Sequence, residues 1–362
     1  MLECPTMPSH ITHLLFASDV LAESGIEPSI CKEHASFIAF GAQGPDIFYH
    51  NRRTKPSGLH YGAIMHRRSY GQMTAHMAAR LRERRLPEDG PEALFLLAFI
   101  THAVLDRYAH PFINYFAGWG NPDGPMGEPG RFMHTFLERI IDTLLLREQE
   151  GIWPHEYDFF SRIYLGERFP PALFDLFRHA LRPVYDSRHS DTLLETRLSN
   201  TYADTMGFYR HTNNVTSESL AMRARAAREN PGKLRWVTLV HPVWLPSDID
   251  FLNLSHSRWH HPCSAEGSST ASFIDLIERA RTVCVRAVRL ARAALCGKSP
   301  LFGEGSLEEA VGNANLSDGL TVGRSCRKEI CEPLPLLGVV AALIQHVTGS
   351  FPGSPGNGVE TF

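Results

Sequence analysis

The stretch "AFITHAVLDRYAHPFI", residues 98–113, sets His102, Asp106 and His110 four residues apart in an otherwise apolar run. Successive residues of an α-helix are about 100° apart, so the three drift by only about 40° per step, share one face and converge on a point. Apolar helix faces do not normally carry three ionisable groups in register, because burying even one unpaired charge costs several kcal/mol. Such a face asks for a common partner.

The next long segment repeats the device. His134 and Glu138 in "FMHTFLERIID" are also four apart, among Phe132, Phe136, Leu137 and Ile140. Two such helices packed together gather imidazoles and carboxylates without thiolates, a donor set suited to zinc or a similar divalent ion. Further candidates are Asp46 in the tight turn "GPDIFYH", His13 in "ITHLLFA" and His66 in "GAIMHRRSY". His10 competes with His13, and His60 with His66, which lies six residues on and roughly on the opposite helix face. For His10, His34, His50, His60 and His76 a surface or packing role is the simpler reading.

Outward from these motifs nearly every periodic segment has helical spacing, and "LRWVTLV" at 234–240 is the one short strand candidate. The spacing predicts an all-α protein, a multi-helix bundle around a buried multinuclear metal site. Helices are expected over about 12–22, 32–41, 59–84, 90–110 (ending before Pro111), 131–149, 155–165, 171–182, 190–228 and 270–296. "AGWGNPDGPMGEPG" at 117–130 reads as a surface loop. The last strong helix is amphipathic, with arginines on one side, and reads as a core-packing helix, with membrane-surface contact as the alternative. One helical domain is expected over 1–297, with its metal-binding part in about 7–145 and a helical extension over 150–297. Residues 298–362 are expected to be a loosely ordered tail with one short apolar helix, "LPLLGVVAALI" at 334–344, about half the length needed to cross a bilayer.

The 362 residues, 43% hydrophobic, suffice for one large domain or two ordinary ones. A net charge of −3, from 36 basic and 39 acidic residues, gives no basic footprint for phosphate-backbone binding, so no nucleic-acid partner is expected. The opening "MLECPTMPSHITHLLFASDVL" has no basic region and no long apolar run, so a cytoplasmic location is expected. Seven cysteines without a Cys-x-x-Cys motif read as reduced thiols, with Cys326 and Cys331 the pair available in an oxidising setting. The segment "HPVWLPSDIDFLNLSHSRWHHP", with His241, Asp248, Asp250, His256, His260 and His261, lacks helical register. It reads as a hydrogen-bonded covering segment, with a place in the substrate pocket or lid as the alternative.

The ordered set Thr12-His13, Gly41-x-x-x-Pro45-Asp46, His66, His102-x-x-x-Asp106-x-x-x-His110 and His134-x-x-x-Glu138 resembles the zinc-dependent phospholipase C family, which includes bacterial phospholipases C and the catalytic domain of glycosylphosphatidylinositol-specific phospholipase D. The resemblance covers roughly residues 7–145. It implies a helical bundle around up to three zinc ions: one held by Asp46, His66, His102 and Asp106, a second by His110, His134 and Glu138, and a third shared by Asp106 and His13. Secreted members complete the third site with an N-terminal tryptophan; this sequence does not begin with one, which leaves His10, Cys4 or the chain's own terminus as substitutes. The four-residue step from Asp106 to His110 is similar to the phospholipase D branch.

The resemblance implies hydrolysis of a phosphodiester, foremost a phospholipid, with transient contact at a membrane surface. Clustered divalent ions offset the negative charge of the phosphate and lower the pKa of a bound water to near 7. Asp46 or Glu138 is the expected proton acceptor. Two other readings stand beside it: a zinc-stabilised bundle that binds or scaffolds without turnover, and a phosphodiesterase similar to single-strand nucleases, which the absence of a basic, aromatic groove disfavours. The oligomeric state is not legible.

Overall fold

The computed structural model describes residues 10–118, 127–185, 191–213, 215–264, 266–320, 322–323, 325–326 and 330–349. Among them helices dominate and no strand forms beyond an isolated bridge between Trp259 and Ser269, so the fold is all-α. Cys4, most of the 117–130 loop and residues 350–362 fall outside the described residues.

The first helix, α1 (His10–Glu23), is buried all round over its first two turns, from His10 to Ala17. Two helices, α2 (Pro28–Glu33) and α3 (Ala35–Ala42), stand where one was expected over 32–41, with His34 between them. A 3-10 turn over Gly44–His50 follows. Gly44 adopts φ +54, and a Cβ there would lie 2.3 Å from the His102 ring, so only glycine lets the turn come this close.

The helix expected over 59–84 is two: α4 (Leu59–Arg67) and α5 (Tyr70–Glu83). No local breaker divides them. Arg68 is extended and Ser69 left-handed, and the cause lies in tertiary contacts: Gly71 N donates to Gly312 O at 2.9 Å, and the buried Tyr70 hydroxyl donates to Phe99 O at 2.8 Å.

Next comes α6 (Pro91–Ala117), with Pro91 in its first turn and left-handed Gly118 closing its end. Every residue from Ala93 to Asp106 is buried, as expected of a helix with neighbours all round. It does not end before Pro111. An interior proline costs about 3 kcal/mol, but Phe112, Ile113 and Ala117 beyond it are buried, and that burial carries the helix on.

Beyond it, α7 (Gly127–Glu150) starts four residues earlier than expected, followed by α8 (Phe159–Ile163) and α9 (Pro171–Tyr185). The helix expected over 190–228 divides into α10 (Leu194–Thr212) and α11 (Ser217–Glu229), the second started by Thr216, whose hydroxyl accepts from Ser219 N. The strand candidate 234–240 is instead a helical turn, α12 (Arg235–Thr238). Its buried Val237 and Val240 are three apart, which is helical and not alternating spacing.

A capping box of Ser272 and Asp275 opens α13 (Phe273–Leu295). Its apolar side packs on α6 and α1. On its other side Arg289 donates to Glu23 O and Arg292 to Ser24 O, cations placed at the negative end of α1. The expectation of loose order beyond residue 298 is corrected for the described part. There α14 (Leu307–Val311) packs on α5, Leu307 and Leu316 are fully buried, and α15 (Leu336–Thr348) packs on α11. Among the described residues no helix is long and apolar enough to cross a membrane. The reading of all cysteines as reduced is corrected as well: Cys263 and Cys326 form a disulfide, so Cys326 is not paired with Cys331, whose thiol is free.

Candidate metal centre

Five elements deliver eight polar side chains to the middle of the bundle: His13 from α1, Asp46 from the 3-10 turn, His66 from α4, His102, Asp106 and His110 from α6, and His134 and Glu138 from α7. All eight are buried.

They form three touching groups. Asp46 lies between two imidazoles, with His66 Nε2 at 3.0 Å from Oδ1 and His102 Nε2 at 3.2 Å from Oδ2. Asp106 faces His102 Nε2 at 3.1 Å through Oδ2 and His13 Nε2 at 3.2 Å through Oδ1. The rings of His13 and His102 stack at 4.1 Å. Glu138 Oε1 is 3.1 Å from His134 Nε2 and 3.7 Å from His110 Nε2, and His110 also lies 3.7 Å from Asp106 Oδ2, linking this group to the others.

Three of the imidazoles are oriented from behind by backbone carbonyls. His66 Nδ1 donates to Gly62 O at 2.8 Å, His102 Nδ1 to Ala42 O at 3.1 Å and His110 Nδ1 to Leu316 O at 2.9 Å. A carbonyl only accepts, so the ring proton is on Nδ1 and the Nε2 lone pair faces the centre in each neutral ring. That is how metal-ligating histidines are held.

The consequence is acceptors facing acceptors. Both oxygens of Asp46, Asp106 Oδ2, Glu138 Oε2 and His102 Nε2 are buried without a hydrogen bond of sound geometry. Leaving such groups unsatisfied is costly, and cations among them supply what they lack. The donor set fits zinc: imidazole nitrogen and carboxylate oxygen, converging and oriented from outside.

Burial pushes the Asp46 carboxyl well above the usual carboxylate range, offset in part by His102 and reinforced by Asp106. Burial acts in the same direction on Asp106, but His102 and His110 outweigh it and hold it well below that range. Glu138 is likewise lowered, since His134 and His110 outweigh its burial. Burial depresses His66 to about 4, so it is neutral at pH 7. His110 is pulled down by burial, but Asp106 and Glu138 raise it to about 9.

The alternatives left open by the sequence are placed elsewhere. His10 is turned away from the cluster, its Nε2 2.7 Å from Asn213 Oδ1, while His13 faces Asp106. His60 is exposed beside Tyr61. His34 and His76 are half-buried on the periphery, and His50 is buried against Tyr209.

Sequence reasoning missed one buried network. Asp142 stands one turn beyond Glu138 and accepts from Thr12 N and Oγ1 at 2.7 and 2.8 Å, from His241 Nε2 at 2.9 Å and from Arg139 at 3.3 Å, while Arg139 also donates to His10. Here a guanidinium already supplies the positive charge, and the network fastens α1 and α7 to the segment after α12. Its signals in the sequence were the four-residue step 134–138–142 and the histidines His10 and His241, which nothing there connected to Asp142. The 241–261 segment is otherwise tied to backbone: Asp250 accepts from Leu254 N and Ser255 N, His256 bonds Thr270 O, and His260 bonds Gly267 O.

Helices alone, with imidazoles and carboxylates from five elements meeting at one buried point, define an all-α protein with a candidate multinuclear metal centre. The profile of the zinc dependent phospholipase C family matches residues 10–209, which include all eight side chains. The chain belongs to the zinc-dependent phospholipase C family. No curated protein and no solved structure matches it. Family membership and the buried His/Asp clusters together support zinc binding and metal-dependent hydrolysis of a phospholipid-type substrate.

Proposed function

We propose that this protein is a zinc-dependent phosphodiesterase that hydrolyses phospholipids at a membrane surface. The observation that carries the reading is the set of buried oxygens and a nitrogen on Asp46, His102, Asp106 and Glu138, gathered in one cluster and left without a hydrogen-bond partner. In this reading Asp46, His66, His102 and Asp106 hold one zinc, and His110, His134 and Glu138 a second. Asp106 reaches from the first group to His13 for a third.

When bound, zinc neutralises phosphate charge and acidifies water. The chain's own part is to fix these donors and to take up a proton. Asp46 and Glu138 are the proposed proton acceptors, since each places a buried carboxylate in the cluster. His66 and His110 keep slightly more solvent exposure in their side chains, 7% and 8%, than His102 at 0%, so substrate is proposed to enter on their side.

Hydrolysis of bis-para-nitrophenyl phosphate and of phosphatidylcholine vesicles, with zinc measured by elemental analysis, tests the proposal. Activity is expected with two or three zinc ions per chain and is lost on chelation. Asp106→Asn is expected to lower it by about 100-fold or more, a cost of several kcal/mol at a shared ligand. A zinc-loaded protein inert on both substrates overturns the enzymatic reading in favour of a zinc-stabilised binding protein. Cleavage of single-stranded DNA in place of lipid favours the nuclease-like reading.

A further inference from the structure

Among the described residues outside the family-matched range, the segment around Leu316 reaches the metal centre. The carbonyl of Leu316 accepts from His110 Nδ1 at 2.9 Å, while its N–H donates to the backbone carbonyl of His66 at 2.7 Å. A single fully buried residue thus holds one candidate ligand on α6 by its ring and another on α4 by its backbone.

The segment is itself held along its length. Arg107, beside Asp106 on α6, donates to Val311 O and, at 2.9 Å, to Gly312 O. Asn114 Nδ2 donates to Ser317 O at 3.1 Å. At the far end Asp318 is buried: its Oδ2 accepts from Cys326 N at 3.0 Å, and its carbonyl accepts from His261 Nε2 at 3.0 Å. Two residues past His261, Cys263 is bonded through sulfur to Cys326. The disulfide therefore joins the two pieces of chain that grip Asp318.

We propose that residues 311–318 are an inner strap that positions His66 and His110 as metal ligands, and that the Cys263–Cys326 disulfide is its fastener, so that opening the disulfide weakens zinc retention. This rests on the metal-centre reading above. The physical reason is orientation. A carbonyl behind a ligating imidazole fixes its tautomer and ring angle and raises its basicity, and losing such a partner typically costs about 10–100-fold in metal affinity. Leu316 is a positioning residue, since it touches the ligands and not the metal.

The test uses the full-length, zinc-loaded protein and follows zinc release into a chromogenic chelator. A water-soluble phosphine opens the disulfide: phosphorus gives two electrons to the sulfur–sulfur bond, two thiols form with protons from water, and the phosphine leaves as its oxide. Release is expected to quicken on the order of 10-fold after reduction, in the Cys263→Ser/Cys326→Ser double variant and in Asn114→Ala. The visible bands of the cobalt-substituted protein are expected to shift in the same samples, a change that lost fold stability alone does not produce. Unchanged release and unchanged cobalt bands in the reduced wild type and in Asn114→Ala overturn the strap, even if the double variant fails to fold. A wild-type protein that takes up no zinc overturns the metal-centre reading and the strap with it.

Discussion

Asp106 and Asp142 are buried carboxylates on neighbouring helices with opposite provisions. Asp106 faces His102 Nε2, whose ring proton is held on the far side by Ala42 O, whereas Asp142 accepts from Thr12, His241 and the Arg139 guanidinium. Asp142→Asn keeps the shape and removes the charge, leaving Arg139 buried beside a neutral group. Breaking one side of a buried pair costs roughly 3–5 kcal/mol, so urea denaturation is expected to show a loss of that size. A loss below about 1 kcal/mol would show that the network is not a structural fastening.

Gly44 is the second residue whose chemistry is dictated by one neighbour. Gly44→Ala adds a methyl 2.3 Å from the His102 ring at φ +54. Strain of this kind costs on the order of 1–3 kcal/mol before the clash is counted. The turn is expected to shift, and with it Asp46, so that zinc content measured on the purified variant falls by about one ion in every chain, an expectation taken from the ligand groups above. Helix period made His102, Asp106 and His110, and His134 with Glu138, legible as sets four apart in register, whereas Asp46, His13 and His66 stood out only as single residues and through the family resemblance. The carbonyls behind them were not legible. Ala42 O, Gly62 O and Leu316 O are backbone groups, and every residue type offers one.

Among the elements, α13 shows local signals acting as written. Ser272 and Asp275 satisfy each other's backbone N–H at its start. Ser272→Ala is expected to destabilise the protein by about 1 kcal/mol, read as a lowered denaturant midpoint with an unchanged slope. Elsewhere tertiary contacts overrode local rules. Pro111 marks a helix end in the sequence, yet α6 continues because Phe112 and Ile113 gain burial. Nothing at Arg68–Ser69 marks a break, yet one occurs, because Gly71 sits where the backbone of Glu308 and Gly312 leaves no room for a Cβ. A break set by chain more than 200 residues away has no sequence signature nearby.

At the scale of the molecule, several buried groups make stability depend on pH in one direction. Burial lowers His10, His50 and His241. A histidine whose folded pKa is depressed lends stability above its unfolded value, about 6.5, and loses it as pH falls below that. Asp142 is also held below its ordinary value: burial raises it, but His241, His10 and Arg139 outweigh that. Its contribution is complete above about 3.9 and is lost as pH falls further. With chelator present throughout, and with Asp46 and His110, whose raised values act in the opposite sense, replaced by Asn and Gln, the urea midpoint is expected to fall from pH 7.5 to pH 5 and again below pH 4. A flat or rising midpoint over that span contradicts these assignments. The all-α class was legible from periodicity because most helices bury one continuous face. The packing of residues 298–320 was not, since glycine, serine and asparagine there engage through backbone and amide groups, as Asn315 does with Gly323 O and Ser317 N.

The hydrogen bond from His110 to Leu316 also has a consequence for biosynthesis. A ribosome has made His110 some 206 residues before it makes the carbonyl that orients it. Nascent chain long enough to contain every imidazole and carboxylate of the cluster still lacks that last acceptor. Translation that halts before Leu316 yields a polypeptide with all eight candidate ligands but with His110 unoriented, so the finished centre is reserved for chains translated past Leu316.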